Sequence, residues 1–468
     1  MNVNGDESLL PIENSLNRAN LLNEKRCVYF IGIGGISMSS LAALCLEANI
    51  AVYGSDVKQS AVTDALSMRG AVIYYEHDFR NIRNAAPALA VYSLAISQDN
   101  CEMLEAKRLG IPLISRAEML SLLIGEYAFS LAVSASHGKS TTVAMLSEIF
   151  TKAQKSPTVL CGAPIFENLG VIFGSREYII LEACEYGRSF LHLHPTVLLL
   201  LNVELDHTDC YSSTEELASA FAGAADNARV TVLNADDEVL RGIGKTARSR
   251  VITFAERHAA DYNYVRRAEC CGMYGFDLYR HGELVASFNL SVPGEFNLKN
   301  AAAAAVVADA LGISVSDSVR ALLDFHGIPR RLQKICRKGG VDIYYDYAHH
   351  PTEIKAACTA LREMGYGRVA AVFAPHTYSR TQYFFSEFSS VLSELSQVFV
   401  CDIYGAREAA IEGVTAAALV EGINASGGNA AKADVDQVVN FVKECGSDCL
   451  VLMGAGELSE IKKVIEVL

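Results

Sequence analysis

Nowhere does this chain carry a basic run of the kind that tracks a nucleic-acid backbone. Its 468 residues set 40 Lys plus Arg against 54 Asp plus Glu, a formal net charge of -14, so nucleic acid is not expected as a partner. No apolar segment approaches the roughly 20 residues that span a bilayer, and membrane insertion is not expected either. The N-terminal stretch MNVNGDESLLPIENSLNRANLLNEKR lacks a basic start followed by an apolar core, so it does not read as a signal peptide. The 13 Cys show no paired C-x-x-C motifs and no Cys/His finger spacing, and the only adjacent pair is Cys270 and Cys271. That usage fits reduced core thiols in a soluble, cytoplasmic protein better than a disulfide framework. Low-complexity tracts and Pro- or Ser-rich linkers are missing too, so domain limits rest on changes of pattern alone.

What is there is a strand, a glycine or polar turn and a helix, read three times. The length exceeds what one core supports, and half of the residues are hydrophobic, enough for each of several domains to bury its own. The first unit starts with CVYFIGIGGISMSSLAALCLEA and continues through IAVYGSD, ALAVYS and IPLIS, ending near Ile124. The second opens on FSLAV and SASHGKSTTVAML and continues through YIILEA, VLLLLNV and VTVLNADD. Between about Val251 and Pro293, alternating pieces such as DLYRHGELVASFNLSV predict hairpins with a turn at His281 and Gly282. The run NLKNAAAAAVVADALGIS predicts a helix ended by Gly312. After FHGIPRRLQ, a third unit holds VDIYYDYAHHP, VAAVFAP, VFVCDIYG and CLVLMGAGEL as strands. The predicted divisions are 1–124, with a polar extension over 1–25, then 125–327 and 328–468. The class is α/β, with mostly parallel sheets and a small antiparallel addition to the central one.

Four groups of residues carry chemistry. In GIGGIS the residues Gly32, Gly34, Gly35 and Ser37 follow a strand and open a helix, where backbone N–H groups and the helix dipole favour a diphosphate. Asp56, after Ser55, closes the next strand, about where a ribose-reading acid belongs. The turn is GxGGx rather than GxGxxG, so a tight turn without a ligand stays open as a reading. In SASHGKSTT, Lys139 is placed to neutralise β and γ phosphates and Ser140 to hold Mg²⁺. The loop N–H groups over Ser136, His137, Gly138, Lys139, Ser140 and Thr141 are placed to cradle phosphate oxygens. Val133 stands where a full Walker sequence has glycine, and Gly-Lys-Ser alone also occurs by chance. Glu182, at the end of YIILE, and Asp206, His207 and Asp209, at the end of the next strand, belong at the same crevice edge. A third group joins Arg330 and Arg331 to Asp346, His349 and His350; paired arginines also occur on plain surfaces, and His-His-Pro in plain turns. The fourth is APHTYSRT, with His376 and Arg380 at i and i+4, where a guanidinium suits a substrate carboxylate.

In order, GIGGIS-MS, YGSD, ASHGKSTT, EACE-Y with SFLHLHP, NVELDHTDCY, NADD, PGEFNLKN, RRLQ, DYAHHPTE, PHTYSRT with DIYGAREA, and GAGEL resemble the motifs of the Mur ligases, the ATP-dependent amide-forming enzymes of peptidoglycan synthesis. The resemblance runs from about Lys25 to the C-terminus, and SFLHLHP and HHPTE favour the alanine-adding member over the later ligases of the pathway. It implies three domains: a Rossmann-like N-terminal domain for a UDP-sugar, a central P-loop-type ATPase domain and a Rossmann-like C-terminal domain for the amino acid. It also implies a shortened phosphate loop, GTxGK[ST], that does not need the Walker glycine. The implied substrates are UDP-N-acetylmuramate, L-alanine and ATP, with Mg²⁺, in a monomer or homodimer.

Carried onto this sequence, the resemblance gives Lys139 to phosphate, Ser140, Glu182 and His207 to the metal, Asn297 to adenine and Asp346 to the ribose. Arg330 or Arg331 would meet the γ-phosphate, His349 would join the catalytic group, and His376 and Arg380 would face the amino acid. Gly32, Gly34, Gly35, Ser37, Ser55 and Asp56 would hold the UDP-sugar. The chain departs from the family at Ala135, Ser136, Cys184, Thr377 and Ser37. Those departures leave open a noncatalytic relative that binds UDP-sugar, beside a recycling ligase that takes a preformed peptide and a nicotinamide oxidoreductase that uses the first glycines.

Overall fold

The computed structural model describes residues 27–93, 95–162, 169–206, 210–406, 408–444 and 446–455, with the side chains of 268–270 outside the description. It has three α/β domains, and its contacts divide it into two compact units. One is made of the described residues within Met1–Val203, Ala218–Asn263 and Ala303–Ala321; the other of those within Glu204–Leu217, Tyr264–Ala302 and Leu322–Leu468.

The first unit begins with a five-stranded parallel sheet: β1 (Cys27–Ile31), β2 (Ala51–Ser55), β3 (Val72–Tyr74), β4 (Leu89–Tyr92) and β5 (Leu113–Ser115), in the order β3-β2-β1-β4-β5. Helices α1 (Ile36–Glu47), α2 (Ala61–Met68), α3 (Phe79–Ala85), α4 (Cys101–Arg108) and α5 (Arg116–Ile124) make the crossovers and the exit. Local signals set their starts. Ser60 with Thr63 opens α2 and Ser115 with Glu118 opens α5, each as a capping box that satisfies two otherwise orphaned donors. Strand order reverses beside β1, and the open turn after it, Gly32 to Gly35, sits at that switch point.

The same unit continues with β6 (Phe129–Ser134), β7 (Thr158–Leu160), β8 (Val171–Ile172), β9 (Tyr178–Glu182), β10 (Val197–Leu200), β11 (Val230–Asn234) and β12 (Arg250–Ala255), in the order β12-β11-β10-β6-β9-β7-β8. Only β7 and β8 pair antiparallel within that run. The expectation of hairpins from Val251 onward is corrected here. β12 pairs parallel with β11, and also parallel with the start of β13 (Tyr262–Cys270). For β11 and β12 the reason is the helix Glu238–Gly244, a crossover that returns the chain to the same end of the sheet.

In the second unit the antiparallel piece is β14 (Met273–Arg280) against β15 (Glu283–Pro293). His281 (φ 49°) and Gly282 (φ 85°) form its two-residue turn, both left-handed as such a turn demands. A six-stranded sheet follows: β16 (Gln333–Lys338), β17 (Val341–Asp346), β18 (Val369–Ala374), β19 (Gln397–Val400), β20 (Ala430–Lys432) and β21 (Cys449–Gly454), ordered β16-β17-β21-β18-β19-β20. All its pairs are parallel except β16 with β17. Residues of β18 alternate between two cores: Val369, Ala371 and Phe373 enter one, Ala370, Val372 and Ala374 the other. Such a strand, covered on both faces, reads as an unbroken apolar run. The helix predicted from NLKNAAAAAVVADA is present as Glu295–Ala310, followed by Gly312 at φ +72°.

One close approach fixes the first turn. A Cβ on Gly54, in the middle of β2, would lie 2.7 Å from the Phe30 carbonyl oxygen and 2.8 Å from Ile33 Cδ1. Gly54→Ala is therefore expected to cost about 1–3 kcal/mol through forced backbone displacement. A urea titration that follows the first unfolding transition checks this, and an unchanged midpoint would contradict the close packing.

Candidate functional site

In the first unit, β6 ends at Ser134 and the chain turns through Ala135 to Gly138 into the helix α6 (Lys139–Lys152). Ala135 is fully buried and keeps a negative φ, so alanine is accommodated where a family member has glycine. Gly138 supplies the left-handed residue, at φ 91°. Asn202 pins the loop from both sides: its Oδ1 accepts the His137 N–H at 2.9 Å, its Nδ2 donates to the His137 carbonyl at 3.0 Å, and its own carbonyl accepts the Ser136 N–H. The loop is thus held in shape, with Ser140 and Thr141 buried in the first turn of α6.

Lys139 folds back over this loop. Its ammonium donates to the carbonyls of Ala135 and Ser136 and to Glu185 Oε1 at 2.9 Å. Burial works against its charge, but the neighbouring carboxylates, Glu185 before Glu182, outweigh that and hold the group above its ordinary pKa. Lys139 is therefore a fixed positive charge at the N-terminus of a helix.

Glu182 ends β9, in register with Val133 on β6, and accepts the Cys161 thiol at 2.8 Å. Desolvation and the Glu185 charge push the Cys184 thiol up to about 11, so it offers no anionic ligand where the family has aspartate. Ser140 and Glu182 are the metal-ligand candidates placed in this unit. His207, with Asp209, lies outside the described residues.

The glycine turn shows which of its donors are spent. The Ser55 carbonyl accepts the N–H groups of Gly32 and Ile33, each at 2.9 Å, and Asp56 Oδ2 accepts that of Gly34 at 2.8 Å. Gly35 is the N-cap of α1 and has no side-chain cap, so Ile36, Ser37 and Met38 begin the helix. The Ser55 hydroxyl turns inward, donating to Glu102, and the residue is fully buried. Asp56 shapes the turn directly, a role additional to the ribose contact expected of it.

The second unit draws the third and fourth sequence groups together. Asp346, at the end of β17, accepts the N–H groups of Leu332 at 2.6 Å and Ala348 at 2.7 Å, which ties the Arg330–Leu332 loop to the strand. Burial pushes its carboxyl up to about 6, against the pull of Arg331 and those two donors. The Arg330 guanidinium lies over the rings of Tyr345 (5.1 Å) and Tyr347 (4.7 Å), with its Nε and Nη2 buried and without hydrogen-bond partners among the described residues. Arg331 sits over Tyr347 and 3.8 Å from Glu353. Glu353 Oε2 also accepts the His349 N–H, and burial pushes the His349 imidazole down to about 4. The His349 ring stands 5.9 Å from that of His376.

His376 precedes the helix Tyr378–Tyr383 rather than lying on it, because Thr377 is the N-cap. Arg380 still reaches it: Nη1 donates to His376 Nδ1 at 3.0 Å, while Nε and Nη2 donate to Asp206 Oδ1 at 3.1 and 2.7 Å. Glu408, from DIYGAREA, accepts both the N–H and the hydroxyl of Ser379 and so holds the start of that helix. Asn297 is buried, with Nδ2 bonded to the Pro293 carbonyl and Oδ1 without a partner among the described residues. Orphaned buried atoms on Asn297 and Arg330 are what ligand-completed groups look like, an amino donor suiting the first and a phosphate the second. Sequence reasoning missed Asn202, Glu185, Glu102 and Glu408, whose partners lie far away along the chain.

Three family descriptions match the chain in order: Mur ligase family, catalytic domain, over residues 27–128; Mur ligase middle domain over 133–308; and Mur ligase, glutamate ligase domain, over 330–456. The UDP-N-acetylmuramate--L-alanine ligase of Caldicellulosiruptor bescii is 36% identical over 451 residues, covering 93% of this chain and 97% of that protein. That of Acetivibrio thermocellus is 37% identical over 453 residues, covering 94% and 95%. Among solved structures, the UDP-N-acetylmuramate-alanine ligase of Thermotoga maritima matches with a TM-score of 0.77 at 24% identity, over 94% of this chain and 99% of that one. A murein peptide ligase from Psychrobacter arcticus matches at 0.67 and 21%, over 94% and 98%. These two likenesses concern the fold.

The buried pair Asp346 and His349 predicts opposing pH effects. Asp346 is raised from 3.8 to about 6, so its contribution to stability is complete below pH 3.8 and is lost as pH rises through 6. His349 is lowered from 6.5 to about 4, so its contribution is complete above pH 6.5 and is lost as pH falls through 4. Asp346→Asn is expected to make stability rise more steeply with pH across this window than in the parent chain, and His349→Gln less steeply. Denaturant titrations at several pH values check this; slopes parallel to the parent in both variants would remove the assignment.

Proposed function

Because the chain belongs to the Mur ligase family, we propose that it is an ATP-dependent ligase joining L-alanine to the lactyl carboxylate of UDP-N-acetylmuramate, in peptidoglycan precursor synthesis. The observation that carries the chemistry is Lys139, a charge-paired ammonium at the start of α6 beside a left-handed Gly138. A carboxylate is a poor electrophile, so the γ-phosphoryl of ATP is first transferred to it, giving an acyl phosphate and ADP. The neutral amine of L-alanine then attacks the acyl carbon, and phosphate leaves. Positioning and charge neutralisation carry such a reaction.

Roles follow from what each side chain offers. Lys139 and the N–H groups from Gly138 to Thr141 hold the phosphates, the Ser136 and His137 N–H groups expected beside them being spent on Asn202, and Asn297 Oδ1 accepts from the adenine. The Arg330 donors, backed by two tyrosine rings, meet phosphate oxygens, with Arg331 and His349 beside them. Asp346 serves the ribose side by holding its loop. Ser140 and Glu182, with His207, suit Mg²⁺ in hydroxyl, carboxylate and imidazole donors. When bound, that ion supplies charge neutralisation at the transferring oxygens. His376 accepts from Arg380 at Nδ1, so its neutral ring carries the proton on Nε2 and can donate to the amino-acid carboxylate. Arg380 adds positive charge there, balanced by Asp206. The turn at Gly32, Gly34, Gly35 and Ser37, with Ser55 and Asp56, serves the UDP-sugar. These roles go with domain limits at 1–124, 125–327 and 328–468, a cytoplasmic location where the nucleotide substrates are, and a monomer or homodimer. Among the described residues no helix is long and apolar enough to cross a membrane.

ADP and phosphate release, measured with Mg²⁺, ATP, UDP-N-acetylmuramate and L-alanine and then with each left out in turn, tests the reading. Release is expected to require all components and to fall by about 10²-fold or more in Lys139→Ala and in Glu182→Gln, the scale of losing one charge-stabilising group. Release that persists in both variants would sink the assignment. A preference for a preformed peptide over L-alanine would turn it to the recycling ligase instead.

A further inference from the structure

Five donors converge on one carboxylate that the ligase roles above leave unused. Glu102, the second residue of α4, is fully buried. Its Oε1 accepts from Tyr29 Oη at 2.7 Å, Asn81 Nδ2 at 2.8 Å and the Asp78 N–H at 3.4 Å. Its Oε2 accepts from Ser55 Oγ at 2.5 Å and stands 3.0 Å from Nδ1 of His77, which itself lies 3.1 Å from that hydroxyl. One side chain thereby joins β1, β2, the start of α3 and α4. Burying a carboxylate costs several kcal/mol unless its lone pairs are met, and here they are met by groups from β1, β2 and the start of α3.

Ser55 is the member of this cluster that leads to the site. It ends β2, and its carbonyl holds the N–H groups of Gly32 and Ile33; the next residue, Asp56, holds that of Gly34. Four links then run in series: Glu102 to the Ser55 hydroxyl, the Ser55 backbone to Gly32 and Ile33, Asp56 to Gly34, and Gly35 to the start of α1. Because the turn spends its own donors internally, the N–H groups of Ile36, Ser37 and Met38 are the ones left to face a diphosphate.

We propose that Glu102 is a positioning residue for the UDP-sugar: through Ser55 and Asp56 it sets the glycine turn so that the first turn of α1 is aimed at the diphosphate. The proposal rests on the ligase reading for the identity of the ligand. It requires that disturbing Glu102 or Ser55 weaken UDP-sugar binding selectively, rather than loosen the whole chain.

The test uses the full chain and two variants, Ser55→Ala and Glu102→Gln. Ser55→Ala leaves the other donors to Glu102 in place and removes only the link to β2, so it keeps the question answerable if Glu102→Gln folds poorly. Calorimetric titration with UDP-N-acetylmuramate, without ATP or alanine, is expected to show about tenfold weaker binding, the scale of one displaced hydrogen bond. KM for the UDP-sugar should rise in step, while in Glu102→Gln the KM for ATP and kcat stay within about twofold, and the double variant is no weaker than the worse single one, as a shared path requires. Amide exchange at Gly32, Ile33 and Gly34 should accelerate in both variants. Parental affinity in both variants, or equal rises in the KM of UDP-sugar and ATP, would overturn the positioning role. Failure of the parent chain to bind the UDP-sugar would instead overturn the ligase reading.

Discussion

The interaction on which the functional loops depend is a carboxylate, placed at or near the end of a strand, that accepts backbone N–H groups. Asp56 does this for Gly34, Asp346 for Leu332 and Ala348, Asp237 for Val203 and Leu240, and Asp236 for the loop at Glu256 to His258. Each bond is charge-assisted and each fixes a loop whose remaining backbone groups are then presented in one arrangement. A parallel sheet gathers such loops along one edge, where strand ends leave their polar residues. The acids thus do structural work at the place where ligands are received.

That division of labour resolves an apparent conflict between a chain of net charge -14 and the proposed nucleotide substrates, which are polyanions. Carboxylates near a phosphate would repel it if their charge stood unpaired. Here Glu185 is spent on Lys139, Asp206 on Arg380, and Glu353 on Arg331 and His349. Arg330 differs: among the described residues aromatic rings rather than a carboxylate support it, so its charge is not cancelled by a neighbouring acid. Local pairing leaves a few cations and helix N-termini to act over short distances, where a net charge spread over a large surface is screened.

Much of this was legible in the sequence because it is written in neighbours. The turn at His281 and Gly282, the helix before Gly312, the doubly covered strand VAAVFA and the Gly138-Lys139-Ser140 start of α6 all follow from residues a few places apart. What escaped is written across the chain. Asn202 pins His137 from 65 positions away, Glu185 meets Lys139 across 46, and Asp206 meets Arg380 across 174. No local pattern distinguishes these acids and amides from ordinary polar residues at strand ends. The direction of β12 escaped for a related reason: alternation identifies a strand, but the crossover before it decides whether it pairs parallel.

Three of the five departures from the family pattern, Ala135, Cys184 and Thr377, bear differently on turnover. Ala135 keeps a negative φ under Lys139, so the loss of glycine there costs no backbone strain. At Cys184 a thiol held up to about 11 removes a negative charge from beside Lys139, which leaves Glu185 as the ion-pair partner of that ammonium among the described residues. Thr377 is the departure with a visible cost. It takes φ 66°, an uncomfortable value for a β-branched residue, while its hydroxyl caps the helix that carries Arg380. A strained cap is retained when the surrounding structure over-determines it. Here the Thr377 N–H bonds the Tyr404 carbonyl and Glu408 grips Ser379 beside it. Strain at that point is balanced by contacts whose effect is to fix His376 and Arg380, so the altered residue acts through where those two side chains are held.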